Sequence, residues 1–391
     1  MRTGLRHNAS AGTGASAAVL PDTIYTEELK KKRKKYIQAA IILLLLLLAF
    51  LCFRSTKIAF MTPWQTLTNT AVFIKLQFGK LFNLSYYADR YSIITSHKYY
   101  LETVTRLQGG LSAICMGAAM SVAGAVFQSV FRNPIAVPTM LGVSSGINIA
   151  NFILVMQYGV LATTMTLERF EWGYIASLAI LFIVLGFSRL TSRGNGFSVA
   201  DVLLIGTVLT RIITQILNAI QSTFMDDAAY QTLQEMNMYG AGIGNARGWI
   251  FLAASMIFGL VPILLMRNSL NIVTFSDDES RVMGLNADAM RVLALIFSTI
   301  LIIAAQIYLG DVGMLALLVP HICRTIYGSN TRDLILGSII VGGIMMLVCR
   351  FVVSLMMFNQ YLSVISVGMI INVISIPLMF YILFSEKKGW E

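Results

Sequence analysis

The stretch "VFQSVFRNPIAVPTMLGVSSG", residues 126–146, puts an arginine, an asparagine and two prolines between two apolar runs. A membrane span needs about 20 mostly apolar residues, and helix breakers between two such runs read first as a connecting turn at the lipid surface. Pro134 and Pro138 end one helix and start the next, and the Asn133 amide can satisfy freed backbone groups. Beyond the break, Gly142 and Gly146 let the new helix pack closely on its neighbours. Arg132 has two readings: an orientation signal at a helix end, or a part of whatever the bundle does.

Composition supports a membrane reading of the whole chain. Of 391 residues, 57% are hydrophobic and only 12% charged, against about 25% charged in soluble domains. A formal charge of +10 could suggest nucleic acid, but no folded basic domain carries it, and cations beside membrane spans have a simpler cause. Cys52, Cys115, Cys323 and Cys349 lie in or beside apolar runs without CxxC spacing and read as small apolar residues. His7, His97 and His321 are too scattered to suggest a zinc site.

Apolar runs lie near 36–53, 107–129, 138–157, 173–190, 200–221, 248–266, 291–309, 312–328, 334–357 and 364–384. They predict an all-α, polytopic helical bundle of about ten spans at residues 36–391, with both ends in the cytoplasm. Residues 1–35, Ala/Gly/Ser/Thr-rich and ending in "KKKRKK", read as a flexible basic cytoplasmic tail. No cleavage signal follows the first run, and bulky Leu51 before Cys52 argues against a lipoprotein. Arg132, Arg189, Arg193, Arg267, Arg281, Arg324, Arg332, Lys387 and Lys388 fall on the predicted inside. The long first outer loop, 54–105, carries cations too, as long loops do, and its aromatic residues suggest partly buried short helices. The second run, 109–127, is rich in Gly, Ala and Ser, which lets helix backbones approach in lipid.

Two motifs resemble the permease subunits of the iron-chelate and cobalamin ABC importers, over about three quarters of the chain. The first comprises Gln128, Arg132, Asn133, Pro134, Ala136, Pro138, Leu141 and Gly142; the second comprises Gly310, Leu317, Pro320, His321 and Arg324, with Gly328 and Arg332 following. The third stretch is "SDDESRVMGLNADAMR", residues 276–291, which reads as a short helix, a glycine stop and a new helix from Asn286. It is either a solvated loop or, by the resemblance, a coupling helix within about 270–290 that docks on an ATPase. Asp277, Asp278, Glu279, Ser280, Arg281, Gly284, Leu285 and Asn286 would then form the coupling surface, with Arg291 matching the pattern behind it. Glu279 and Ser280 replace two alanines of that pattern and Met283 replaces a leucine, which implies an ATPase surface adapted to this chain.

The resemblance implies a cobalamin-permease-like fold and places Gln128, Arg132, Asn133, Pro134, Pro138, Pro320, His321 and Arg324 along the translocation path or its gate. Arg211 and Arg350 lie inside apolar runs, where a charge costs from about 2.5 kcal/mol upward and turns towards a partner or a water-filled path. Each either reaches backbone carbonyls or headgroups, or lines the path and attracts an anionic chelate. The family has an aspartate where Arg350 stands and a tryptophan where Asn237 stands.

No P-loop is present, so an importer would need separate ATPase subunits carrying ATP and Mg, while this chain binds no cofactor. The implied partners are two ATPases, a second permease of the same or a related kind, an extracytoplasmic binding protein and membrane lipid. The cargo stays open between ferric siderophore, haem and cobalamin. The alternative is an ion-driven secondary transporter, for which Asp201 and Asp311, both near helix ends, are the only candidate coupling carboxylates.

Overall fold

The computed structural model describes residues 22–54, 59–81, 99–191, 199–240, 246–275, 277–356 and 365–387. Each of the ten apolar runs corresponds to a helix. In chain order these are α1 (Asp22–Cys52), α3 (Tyr100–Val130), α4 (Val143–Tyr158), α5 (Thr166–Thr191), α6 (Val199–Phe224), α8 (Ala246–Val273), α10 (Ala287–Leu309), α11 (Gly313–Tyr327), α12 (Thr331–Met356) and α13 (Val367–Lys387). Eight are long and apolar enough to cross a bilayer, while α11 and α13 are shorter apolar helices. Shorter elements lie between them: α2 (Pro63–Leu81), α7 (Asp227–Tyr239), α9 (Asp277–Val282) and the antiparallel strand pair β1 (Phe53–Arg54) and β2 (Ala59–Phe60). The alternation of long helices puts α9 and the Arg132 break on one face, and α2, the strand pair and α7 on the other.

The small residues of the second run decide the packing. Largely buried, α3 packs chiefly on α12, α10 and α11. Gly117 faces Gly342 of α12, where a Cβ would come within 2.6 Å of Met346 Cβ. Gly124 faces the Ala316 carbonyl of α11. That carbonyl lies four residues before Pro320, which has no N–H to offer it. A proline in one helix and a glycine in the next thus bring two backbones together where no hydrophobic effect drives association.

The flexible tail expected over residues 1–35 is corrected for residues 22–35, which are helical and continuous with the first span. "EELKKKRKK" consists of strong helix formers, so the span's helix propagates through it. Side chains then fix it in place. Lys32 Nζ pairs with Asp333 at 2.6 Å, and Lys35 Nζ donates to the Ile326 carbonyl at 2.6 Å. Tyr36 stacks on Tyr327 with centroids 4.4 Å apart. Residues 1–21 lie outside the described residues.

In the first outer loop the expected short helix is α2, tied to α3 where Asn69 Nδ2 donates to Thr103 Oγ1 at 3.2 Å. Residues 82–98 of that loop lie outside the described residues. Helix α7 is an addition to the sequence reading: Asp226 caps it by accepting from Ala229 N at 2.7 Å, the usual role of an aspartate at that position.

Gly124→Val should force α3 off the Ala316 carbonyl and cost on the order of 3 kcal/mol, read as a fall in detergent-solubilised Tm. Gly186→Ala, at a position with open space around it, should leave Tm unchanged or slightly raised; equal losses for both variants would contradict the close-packing account.

Candidate coupling clasp and transport cavity

Residues 131–142 do not run along the lipid surface. Arg132, the residue after the α3 C-cap, adopts a left-handed conformation (φ 49°), which costs a non-glycine residue about 1 kcal/mol. Asn133 Oδ1 accepts from Ile135 N at 2.9 Å, forming an Asx turn over Pro134. The chain then re-enters the bundle. Pro138 opens a buried 3-10 turn, Pro138–Leu141, whose Thr139 side chain reaches Gly313 at the start of α11. Met140 presents its carbonyl to Gly206 of α6, and Gly142 (φ 76°) nests against Ile180 and Thr210. From Ala136 to Gly142 the expected surface turn is therefore a largely buried re-entrant segment, while Arg132, Pro134 and Ile135 stay exposed. Irregular backbone is tolerated at membrane depth when protein surrounds it, which the glycines of the facing helices permit.

Arg132 also makes the central polar contact of this face. Its Nε and Nη2 donate to the Val273 carbonyl at 3.2 and 3.1 Å, capping the last turn of α8, and Nη2 reaches Asp277 Oδ1 at 2.8 Å. The same oxygen accepts from Arg291 Nη2 of α10 at 2.5 Å, and Arg291 Nη1 also meets Asp288 at 3.3 Å. The Arg291 side chain is 1% exposed and that of Asp277 is 47% exposed. Asp277, first residue of α9, is thus clasped between the end of α3 and the start of α10. The two guanidiniums, that of Arg291 first, hold its carboxyl below the usual carboxylate range against the opposing effect of burial.

The rest of the acidic stretch folds as its residues dictate. Ser280 is buried and donates to the Ile272 carbonyl at 3.1 Å, seating α9 on α8. Gly284 N bonds Arg281 O at 2.9 Å and Leu285 N bonds Ser280 O at 3.0 Å. With Gly284 at φ 76°, this is the glycine-terminated Schellman ending. Asn286 then caps α10 by accepting from Ala289 N at 3.1 Å. Asp278, Glu279, Arg281, Val282 and Met283 are left outward, with Val282 90% exposed. The short helix is thus seated on α8 and presents apolar and charged side chains to the outside.

A cavity of about 410 Å³ lies among α4, α5, α6, α7, α10 and α13. Its floor includes Ser144, which accepts from Gln306 Nε2 at 2.8 Å. None of the ten residues assigned to the path or gate lines it. Gln128 is buried against the Leu317 carbonyl at 3.5 Å, and His321 Nδ1 lies 3.0 Å from the same oxygen. Arg324 sits in the last turn of α11, where a cation suits the helix end. Pro134, Pro138 and Pro320 shape backbone. Arg350 packs its guanidinium against Gly109 beside a separate cavity of about 110 Å³ between α3, α10 and α12. Arg211 is exposed on α6, on one stripe with Thr207, Thr214 and Asn218. The latter two line the main cavity, and Arg211 stands a turn below them, towards the α9 face.

The cavity's carboxamides, Asn237 apart, and its Arg169 went unremarked in the sequence. Arg169, 2% exposed, donates to the Met236 carbonyl. Asn151 Nδ2 donates to Asn237 Oδ1 at 2.7 Å. The available signal was the polar stripe Thr207, Arg211, Thr214, Asn218, Gln221 at helical spacing in an otherwise apolar run.

The profile of the FecCD transport family matches residues 36–385. The chain belongs to this family. Iron-uptake system permease protein FeuB of Bacillus subtilis is 26% identical over 290 residues, covering 73% of this chain and 82% of FeuB. Hemin transport system permease protein HmuU of Yersinia pestis is 31% identical over 246 residues, covering 62% of this chain and 71% of HmuU. A structure described as an inward-facing conformation of a metal-chelate type ABC transporter shares the fold, with TM-score 0.70 at 18% identity over 90% of this chain and 99% of that one.

Asp277→Asn should lower stability by about 2 kcal/mol at neutral pH, because the buried Arg291 loses a charged partner. A depressed folded-state pKa gives stability that is full above the unfolded value and lost as pH falls through the folded one. The Tm gap between wild type and variant should therefore be widest at neutral pH and close in acid, as thermal unfolding at a series of pH values would register.

Proposed function

We propose that the chain is the membrane permease subunit of an ATP-driven importer of iron chelates. The observation that carries this reading is the Asp277 clasp. It joins an outward-facing short helix to the ends of α3, α8 and α10, so a push on α9 is delivered to the bundle's interior helices. In this reading α9 is the coupling helix and seats in a cleft of a separate ATPase subunit, which holds ATP and Mg.

Two ATPases closing on nucleotide tilt the α9 helices of two permeases, and the bundle alternates between outward and inward access. The α9 face is cytoplasmic; α1 begins there and α13 ends there. A second permease, identical or related, covers α6, the helix least buried by its own chain. The cavity beside α6 opens away from the α9 face, where an extracytoplasmic binding protein delivers cargo. The re-entrant segment, with Arg132, Asn133, Pro134 and Pro138, and the Pro320, His321 and Arg324 junction lie between that cavity and the cytoplasm and act as gate. Arg211 lines the path below the cavity. Arg350 supports the bundle from its own pocket.

Glu279→Lys combined with Gly284→Pro should abolish co-purification of the ATPase after detergent extraction, while Met283→Lys alone should weaken it about tenfold with Tm unchanged. A wild-type chain that extracts alone and drives uptake from an ion gradient without ATP would overturn the importer reading.

A further inference from the structure

The lining of the main cavity carries information about its cargo. Eight of its side chains are carboxamides, among them Asn148 and Asn151 of α4, Asn218 and Gln221 of α6, and Asn372 of α13. Formal charge is nearly balanced: Arg169 is the one cation and Asp311 the one anion among the described lining residues. Both are already engaged, Arg169 with the Met236 carbonyl and Asp311 with Gly313 N at 3.1 Å. Among the described residues the lining has no aromatic ring. Three buried polar atoms around it have no partner: Asn151 Oδ1, Gln306 Oε1 and Arg169 Nε.

We propose that the cavity takes a ferric chelate of the neutral tris-hydroxamate kind, rich in amide and hydroxamate oxygens; this rests on the importer reading above. A carboxamide donates and accepts at once, so it matches ligand carbonyls as well as ligand N–H and O–H groups. A neutral complex enters without needing a counter-charge. A tris-catecholate trianion would bring three negative charges to a site whose single guanidinium is already engaged, and burying charge without partners is strongly unfavourable. A flat porphyrin needs broad apolar or aromatic walls; here the apolar contribution comes from Ile147, Leu217 and methionines, which fill irregular gaps. The volume is that of a ligand pocket, and a facing permease would enlarge it.

The test is equilibrium binding to the purified permease–ATPase complex, with an iron-55-labelled linear tris-hydroxamate, an iron-55-labelled tris-catecholate and haem as probes. The hydroxamate should bind at least about tenfold tighter than the other two. Asn218→Leu with Asn372→Leu should weaken hydroxamate about tenfold, leave haem unchanged and keep Tm. Asn218→Lys should instead raise catecholate affinity. Tighter binding of catecholate or haem by the wild type overturns the assignment while leaving an importer. Equal binding of all three also overturns it. If no probe binds and ATP drives no chelate uptake in vesicles, both the assignment and the importer reading fail.

Discussion

Asp277 holds its charge between two guanidiniums contributed by distant parts of the chain, Arg132 at the end of α3 and Arg291 in α10. Because Arg291 is almost wholly buried, its charge is tolerable only while carboxylates face it. That requirement fixes α9 relative to both helices. Arg132 in turn adopts a strained backbone conformation to cap α8 and reach Asp277, and this turn starts the re-entrant segment on its way into the bundle. Charge pairing, helix capping and the course of residues 132–142 are one arrangement.

The interior has a different basis. In lipid, helices associate through close contact and backbone complementarity, and here several close approaches pair a small residue with a neighbour's backbone: Gly117 with Gly342, Gly124 with Ala316, Gly146 with Ser177. Pro320 and Gly124 illustrate the economy of this scheme, since the carbonyl that the proline leaves unpaired in its own helix is the surface on which the glycine packs. Contacts this close give the central helices a densely packed interior rather than a fluid core.

The polar cavity forms where the small helices end. Gly310 and Asp311, just before α11, Ser366, just before α13, Ser144 in the first turn of α4, and Gln234 and Asn237 of α7 all face that space. Its polar groups come from six helices, α4, α5, α6, α7, α10 and α13, and from the connections at Asp311 and Ser366. The result is a cavity lined chiefly by neutral polar groups, in contrast to the α9 face, where ion pairs fix the arrangement.

Much of this was legible in the chain. Ten apolar runs became ten helices because the bilayer requires length and internal backbone pairing, both local properties. The α9 helix, its Gly284 stop and the Asn286 cap could be read residue by residue, because capping chemistry reaches only three or four positions. Helicity of residues 22–35 was missed because propagation from a neighbouring span and ion pairs to Asp333 supply what composition lacks. The burial of residues 136–142, the convergence of Arg132 and Arg291 on Asp277, and the position of Arg350 away from the main cavity were decided by tertiary structure. Each depends on which helix faces which, and that is set by glycine-to-backbone contacts between residues far apart in sequence.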